Sequence, residues 1–332
     1  MNERGPPWAP FASYTSAPGL PEKGKTPRSV VFILSPCGEQ PRVITALIEG
    51  MRPRQWTKNF FLFAGIVFGQ RLYDRGAVVW TLGAFCIFCF LSSAVYLFND
   101  VADVEKDRQH PTKRNRPIAS GRLPKSVALT AALVFALGGV GLSFAITRSF
   151  AALAIAYLAL NLLYSFSLKH IVILDVMMVA MFFVLRAVAG AAAINVEISH
   201  WLLICTFLLS LFIALSKRRH ELVLLENNAA AHRASLTEYT SYLLDQKIAV
   251  VTASTLMAYI LYTVDARTVA VFGSERLLFT VPFVIFGIFR YLYLIHQKSE
   301  GGNPDRIVLS DRPFFINMLL WMGTVALVIY YR

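Results

Sequence analysis

The chain has 332 residues, 56 % of them hydrophobic and only 16 % charged, with a mean hydropathy of +0.55. A soluble domain carries charge on about a quarter of its residues, so this composition excludes one. The net charge of +12 would suit a nucleic-acid binder, but no nucleic-acid footprint is read here, because the cations alternate with long apolar stretches.

Residues 1–42 are rich in Pro, Gly and Ser and read as a disordered cytoplasmic tail. Inside it, the apolar run 29–34 ahead of Ser35-Pro36-Cys37 is too short for a lipoprotein signal. Residues 43–332 form one transmembrane domain. Apolar runs of about 20 residues cross ~30 Å of hydrocarbon, and continuous rather than alternating runs select helices. Nine spans are expected: 57–70 (short, with an amphipathic approach from 43), 78–99, 126–146, 149–166, 171–193, 199–216, 246–264, 278–296 and 313–331. The predicted fold is an all-α membrane protein, a bundle of about nine transmembrane helices. The link at Thr147 and Arg148 must be tight. Cys86 and Cys89 form a C-x-x-C inside an apolar helix with no second pair, which reads as packing rather than redox or zinc chemistry.

With the N-terminus inside, the segments 1–58, 101–125, 165–170, 217–247 and 297–312 carry 24 Lys and Arg, against six outside. That bias follows the positive-inside rule and places the chain in a plasma (inner) membrane.

The segment after the second span reads YLFNDVADVEKDRQHPTKRNRPIASGRLP. If the helix continues past Asn99, Asp100, Asp103 and Asp107 fall at i, i+3 and i+7, within an arc of about 60°. Carboxylates on one stripe repel unless a cation sits among them, and hard oxygen ligands suit Mg²⁺. A solvated helix end would also be acidic. However, four of the chain's 20 acidic residues fall between positions 100 and 107, and Lys113, Arg114, Arg116 and Arg122 follow at once. Carboxylates for a metal beside cations for phosphate oxygens equip a site for a metal–diphosphate substrate.

The series Asn99, Asp100, Asp103, Asp107, His110, Pro111, Lys113, Arg116, Pro117, Ile118, Ala119, Ser120, Gly121 resembles the first Asp-rich motif of the UbiA-type intramembrane prenyltransferase superfamily. The resemblance implies a nine-helix bundle. It also implies Mg²⁺ held by Asp100, Asp103 and Asp107 against a diphosphate at the cytoplasmic mouth.

The superfamily's prenyl-diphosphate enzymes carry a second Asp-rich motif between helices six and seven. This chain has Lys217, Arg218, Arg219, His220 and Glu221 there, with no D-x-x-x-D. A basic patch facing a metal–diphosphate fits a donor with an additional phosphate, such as phosphoribosyl diphosphate. The stretches RPRQWTKN (52–59), YSFSLKHIVILD (164–175), LRAVAG (185–190) and KRRHELVLLE (217–226) resemble the decaprenyl-phosphate phosphoribosyltransferase branch. That branch makes a lipid-linked ribose phosphate for arabinan in the cell wall. The resemblance implies a Mg²⁺-dependent pentosyltransferase with phosphoribosyl diphosphate and a membrane polyprenyl phosphate as substrates. The alternative is an aromatic or quinone-pathway prenyltransferase using a polyprenyl diphosphate. A transporter is disfavoured because the carboxylates sit at a helix mouth rather than near the bilayer midplane.

The expected substrate-binding set is Arg54, Lys58, Asn59, Asn99, Lys113, Arg116, Tyr164, Lys169, Asp175, Lys217, Arg218, Arg219 and Glu221. Arg54 and Lys58 serve equally well as interfacial anchors, as Tyr164 and Lys169 could. Asn59 lies in an apolar run and needs partners. Asp175 and Arg186 share a face of one helix but lie ~16 Å apart along its axis, too far to pair. Oligomeric state is left open, a homo-oligomer included.

Overall fold

The computed structural model describes residues 40–226, 239–297 and 310–331. Residues 1–39 of the expected tail and residues 227–238 of the 217–247 loop lie outside them. Every regular element among the described residues is helical.

Helix α1 (Gln40–Met51) leads into a 3-10 helix, Pro53–Leu62, and its continuation α2 (Phe63–Phe68). Helix α3 (Arg75–Ala102) starts at an Asp74 cap, whose carboxylate accepts from the Gly76 and Ala77 amides, satisfying donors that a helix start leaves bare. A short α4 (Val104–Gln109) follows. Helices α5 (Lys125–Ile146) and α6 (Arg148–Phe166) meet at Thr147, whose hydroxyl accepts from the Phe150 amide and donates to the Ala192 carbonyl. The tight link expected there is present. Then come α7 (Leu174–Ala193), α8 (His200–Glu226), α9 (Ser241–Val264), α10 (Ala266–Phe272), α11 (Val281–Gln297) and α12 (Arg312–Tyr330).

Eight of the described helices are long and apolar enough to cross a membrane: Arg75–Ala102, Lys125–Ile146, Arg148–Phe166, Leu174–Ala193, His200–Val223, Ser241–Val264, Arg276–Gln297 and Arg312–Tyr330. The expected first span, 57–70, is not among them. It is the 3-10 stretch with α2, sixteen residues that nevertheless reach about 29 Å, because a 3-10 turn rises ~2.0 Å per residue against 1.5 Å.

One core brings together Leu62, Phe88 and Leu91 of α3, Phe150 and Tyr157 of α6, and Phe182 of α7. A second joins Phe212, Leu244, Ile288, Tyr291 and Leu294 from α8, α9 and α11. Outward faces stay apolar, as at Leu133, Leu137 and Phe144 on α5 and Leu319 and Leu320 on α12. Such surface suits hydrocarbon, not water.

Candidate active site

The end of the bundle formed by the C-terminus of α3 and the N-terminus of α7 collects the acidic and basic side chains. Asp100, in the last turn of α3, is 3 % exposed, and so is Asp107 on α4. The helix breaks between them at Asp103 (φ −95°, ψ 9°), although the Asp103 amide still reaches the Asn99 carbonyl at 2.9 Å. This break corrects the expected continuous arc. One Arg116 Nη1 lies 3.0 Å from Asp100 Oδ1 and 2.6 Å from Asp107 Oδ2. Asp103 instead faces Lys169 Nζ at 3.6 Å. Among the described residues no three His, Cys, Asp or Glu side chains converge as a ready metal cage. Two buried carboxylates that share one cation, supplying hard oxygens, still fit a divalent ion such as Mg²⁺.

A loop holds Arg116 in place. Ile118 and Leu123 bury against Ala46, Leu97 and Val104, and Gly121 turns the chain at φ 80°, where glycine pays no steric cost. Arg122 forks onto both carboxylate oxygens of Glu49 at 2.6 and 3.0 Å and onto the Asn115 carbonyl, tying the loop to α1. Burial, with the Lys113 ammonium, lowers the His110 pKa. The His110 Nδ1 accepts from the Thr112 and Lys113 amides. Asn99 accepts from the Ser165 hydroxyl at 2.7 Å.

Arg52 reaches the same site from the other side. Its Nη2 lies 2.5 Å from Asp100 Oδ1 and its guanidinium sits over the Tyr96 ring, 5.1 Å from the centroid. The residue adopts φ 55°, ψ 62°, a left-handed conformation that costs a non-glycine residue about 1–2 kcal/mol. Sequence reasoning passed over Arg52; an arginine directly ahead of a proline, at the start of 52–59, was the available signal.

A second polar cluster lies at the start of α7. Asp175, 1 % exposed, accepts from Arg218 Nε at 3.1 Å and from the Tyr239 hydroxyl at 3.1 Å. The Tyr239 hydroxyl in turn accepts from the Ile173 amide at 2.7 Å. Burial pushes the Tyr239 phenol up to about 12, so it remains a donor at neutral pH. Ile173 is strained too, at φ 72°. Arg52 and Ile173, each beside a buried carboxylate, are two of the four non-glycine residues with positive φ among the described residues, with Gln70 and Asn195.

The basic patch is not free. Arg218 is 6 % exposed and its Nη1 also pairs with Glu221 at 2.5 Å. Arg219 pairs with Asp245, which lies 3.4 Å from His296 Nε2. Arg218 and Arg219 thus join α8 to α7 and α9, and Glu221 pairs with Arg218 within α8. Lys217 is exposed, as are Arg54 and Lys113, while Lys58 and Tyr164 are half-buried, Tyr164 edge-on to Phe182.

Asn59 has the partners that a buried amide requires. It is fully buried, its amide nitrogen reaching Ser92 Oγ and Cys89 Sγ, its oxygen accepting from Arg186 Nε at 2.9 Å. Arg186 also donates to the Phe182 carbonyl and the Tyr157 hydroxyl and stacks over the Tyr157 ring. Arg186, which had no evident partner in the sequence, thus has Asn59.

Over residues 59–324 the chain matches the UbiA prenyltransferase family. It is 36 % identical over 289 residues to a decaprenyl-phosphate phosphoribosyltransferase of Corynebacterium glutamicum, covering 86 % of each chain. Identity to the decaprenyl-phosphate phosphoribosyltransferase of Mycolicibacterium smegmatis is 36 % over 309 residues, covering 89 % of this chain and 95 % of that one. The fold is similar to that of a UbiA homolog from Archaeoglobus fulgidus bound to DMAPP and Mg²⁺, with a TM-score of 0.64 at 17 % identity over 86 % of this chain and 100 % of that one.

Proposed function

We propose a reaction for this chain, which belongs to the UbiA prenyltransferase family: it is a transferase that moves 5-phosphoribose from phosphoribosyl diphosphate to a polyprenyl phosphate in the membrane. The observation that carries this reading is 36 % identity, spread over nearly nine tenths of the chain, to decaprenyl-phosphate phosphoribosyltransferases. The paired buried carboxylates bridged by Arg116 support it.

An oxygen of the polyprenyl phosphate attacks C1 of the donor, the C1–O bond to the diphosphate breaks, and diphosphate leaves. The nucleophile is already an anion, so no side chain has to take a proton. Asp100 and Asp107, with Asp103 at the rim, would hold Mg²⁺, which when bound neutralises charge on the departing diphosphate. Arg116 and Lys113 meet diphosphate oxygens and orient C1. Lys169, beside Asp103, takes the donor's 5-phosphate in this reading, since Arg218 and Arg219 are already paired with Asp175 and Asp245.

The 24-to-6 charge bias supports a multi-pass plasma-membrane protein with the Asp motif on the cytoplasmic side. Purified protein with Mg²⁺, decaprenyl phosphate and label in the ribose of phosphoribosyl diphosphate should give a labelled lipid and free diphosphate. An unlabelled lipid, with labelled prenyl diphosphate alkylating an aromatic acid instead, would overturn the reading.

A further inference from the structure

Arg52 and Arg116 together bring two positive charges to the two buried carboxylates Asp100 and Asp107. The cluster is therefore neutral as it stands. A divalent ion entering it would leave two charges in excess unless an anion came too or a guanidinium moved away. The two arginines differ in how they are held. Arg116 contacts both carboxylates and sits on a loop tied down by Ile118, Leu123 and Arg122. Arg52 touches only Asp100, from a left-handed residue at the junction between α1 and the 3-10 helix, with the flat face of Tyr96 beneath its guanidinium. A guanidinium resting on an aromatic ring can slide in the ring plane while keeping that contact.

We propose that Arg52 is a charge placeholder for the metal. It occupies Asp100 while no divalent ion is present, and it moves onto the donor's diphosphate when an ion takes that carboxylate. The proposal rests on the metal–diphosphate reading of the Asp motif. Its consequence is that ion and donor bind cooperatively. The ion alone must displace Arg52 without giving it a new partner, whereas ion and diphosphate together supply one. A merely structural Arg52 predicts the opposite for its removal, a looser Asp100 and weaker metal binding.

The two ideas separate in a metal-binding measurement made without turnover. Mn²⁺ binding to purified protein is followed by the loss of its free-ion paramagnetic resonance signal, with and without phosphoribosyl diphosphate. The variant of choice is Arg52→Asn, because Asn tolerates the left-handed conformation and so removes the charge without straining the chain further. Without donor, Arg52→Asn should bind Mn²⁺ about tenfold more tightly than the natural protein, the effect of deleting one competing charge-assisted contact. With Mn²⁺ saturating, its half-saturating donor concentration should rise by about tenfold or more. Arg52→Lys, which keeps the charge, should stay within about threefold of the natural protein for Mn²⁺ alone. Unchanged or weakened Mn²⁺ binding in Arg52→Asn overturns the placeholder. Asp100→Asn in the same assay tests the reading underneath: if Mn²⁺ binding survives that change intact, the Asp motif is not the metal site and both fall. If binding is lost there while Arg52→Asn shows no gain, only the placeholder falls.

Discussion

The Leu62 carbonyl crosses Gly190 so closely that a Cβ on Gly190 would lie 1.9 Å from the Leu62 oxygen. Glycine is required at 190 because two backbones touch there, the 3-10 helix lying directly on α7. Gly65 repeats the contact one turn on, where a Cβ would meet the Ala191 amide nitrogen at 2.7 Å. Gly190→Ala should therefore push the 3-10 helix off α7. The expected cost is at the upper end of the ~1–3 kcal/mol typical of overpacking, read as a lower Tm in detergent. Turnover should fall as well, since Arg52 and Asn59 ride on that segment. A Gly190→Ala protein with unchanged Tm would contradict the packing described.

The three aspartates should not be equivalent. Asp100→Asn and Asp107→Asn remove buried carboxylates that converge on one cation. Each should lower kcat on the order of 10²- to 10³-fold, the scale of losing several kcal/mol of charge stabilisation. Asp103→Asn alters a half-buried carboxylate turned toward Lys169 and should cost distinctly less. Turnover at saturating Mg²⁺ and donor gives the ranking, and an Asp103 effect as large as the other two would contradict it.

Arg218→Gln should act on stability before it acts on the donor. It leaves Asp175 buried without its cation, and breaking a buried pair from one side costs about 3–5 kcal/mol. A large drop in Tm is expected, partly restored by adding Asp175→Asn, which removes the stranded charge. Were Arg218 a phosphate contact, the single variant would keep its Tm and raise only the donor concentration needed.

The bundle's sidedness can be read from labelling. In a background lacking the four native cysteines, Thr112→Cys should react with an impermeant thiol reagent only when the cytoplasmic face is open. Glu197→Cys, at the opposite end of α7, should react from outside intact cells. The reverse pattern would overturn the orientation drawn from the charge bias.

Much of this was legible in the residues themselves. Continuous apolar runs marked the eight long spans, and the crowding of acids between 100 and 107 marked the site. What stayed hidden depends on contacts between distant segments. Nothing local distinguishes a 3-10 helix over 53–62 from an α-helix; its course is set by Gly190, far along the chain. The lysine and arginine run at 217–219 read as a free phosphate patch because its counter-charges, Asp175 and Asp245, lie 43 and 26 residues away. The partner of Asn59 stayed hidden because Arg186 lies 127 residues later.

That last separation bears on how the protein is made. The segment 53–68 carries Lys58 and Asn59 and falls short of the apolar length by which a nascent span is recognised. Its buried amide finds the Arg186 guanidinium only after α7 has been synthesised. The segment 53–68 docks on α7, which offers both the guanidinium and the bare backbone at Gly190. The native place of this segment therefore depends on a helix made much later in the chain, and the same docked segment follows directly on Arg52, which meets Asp100.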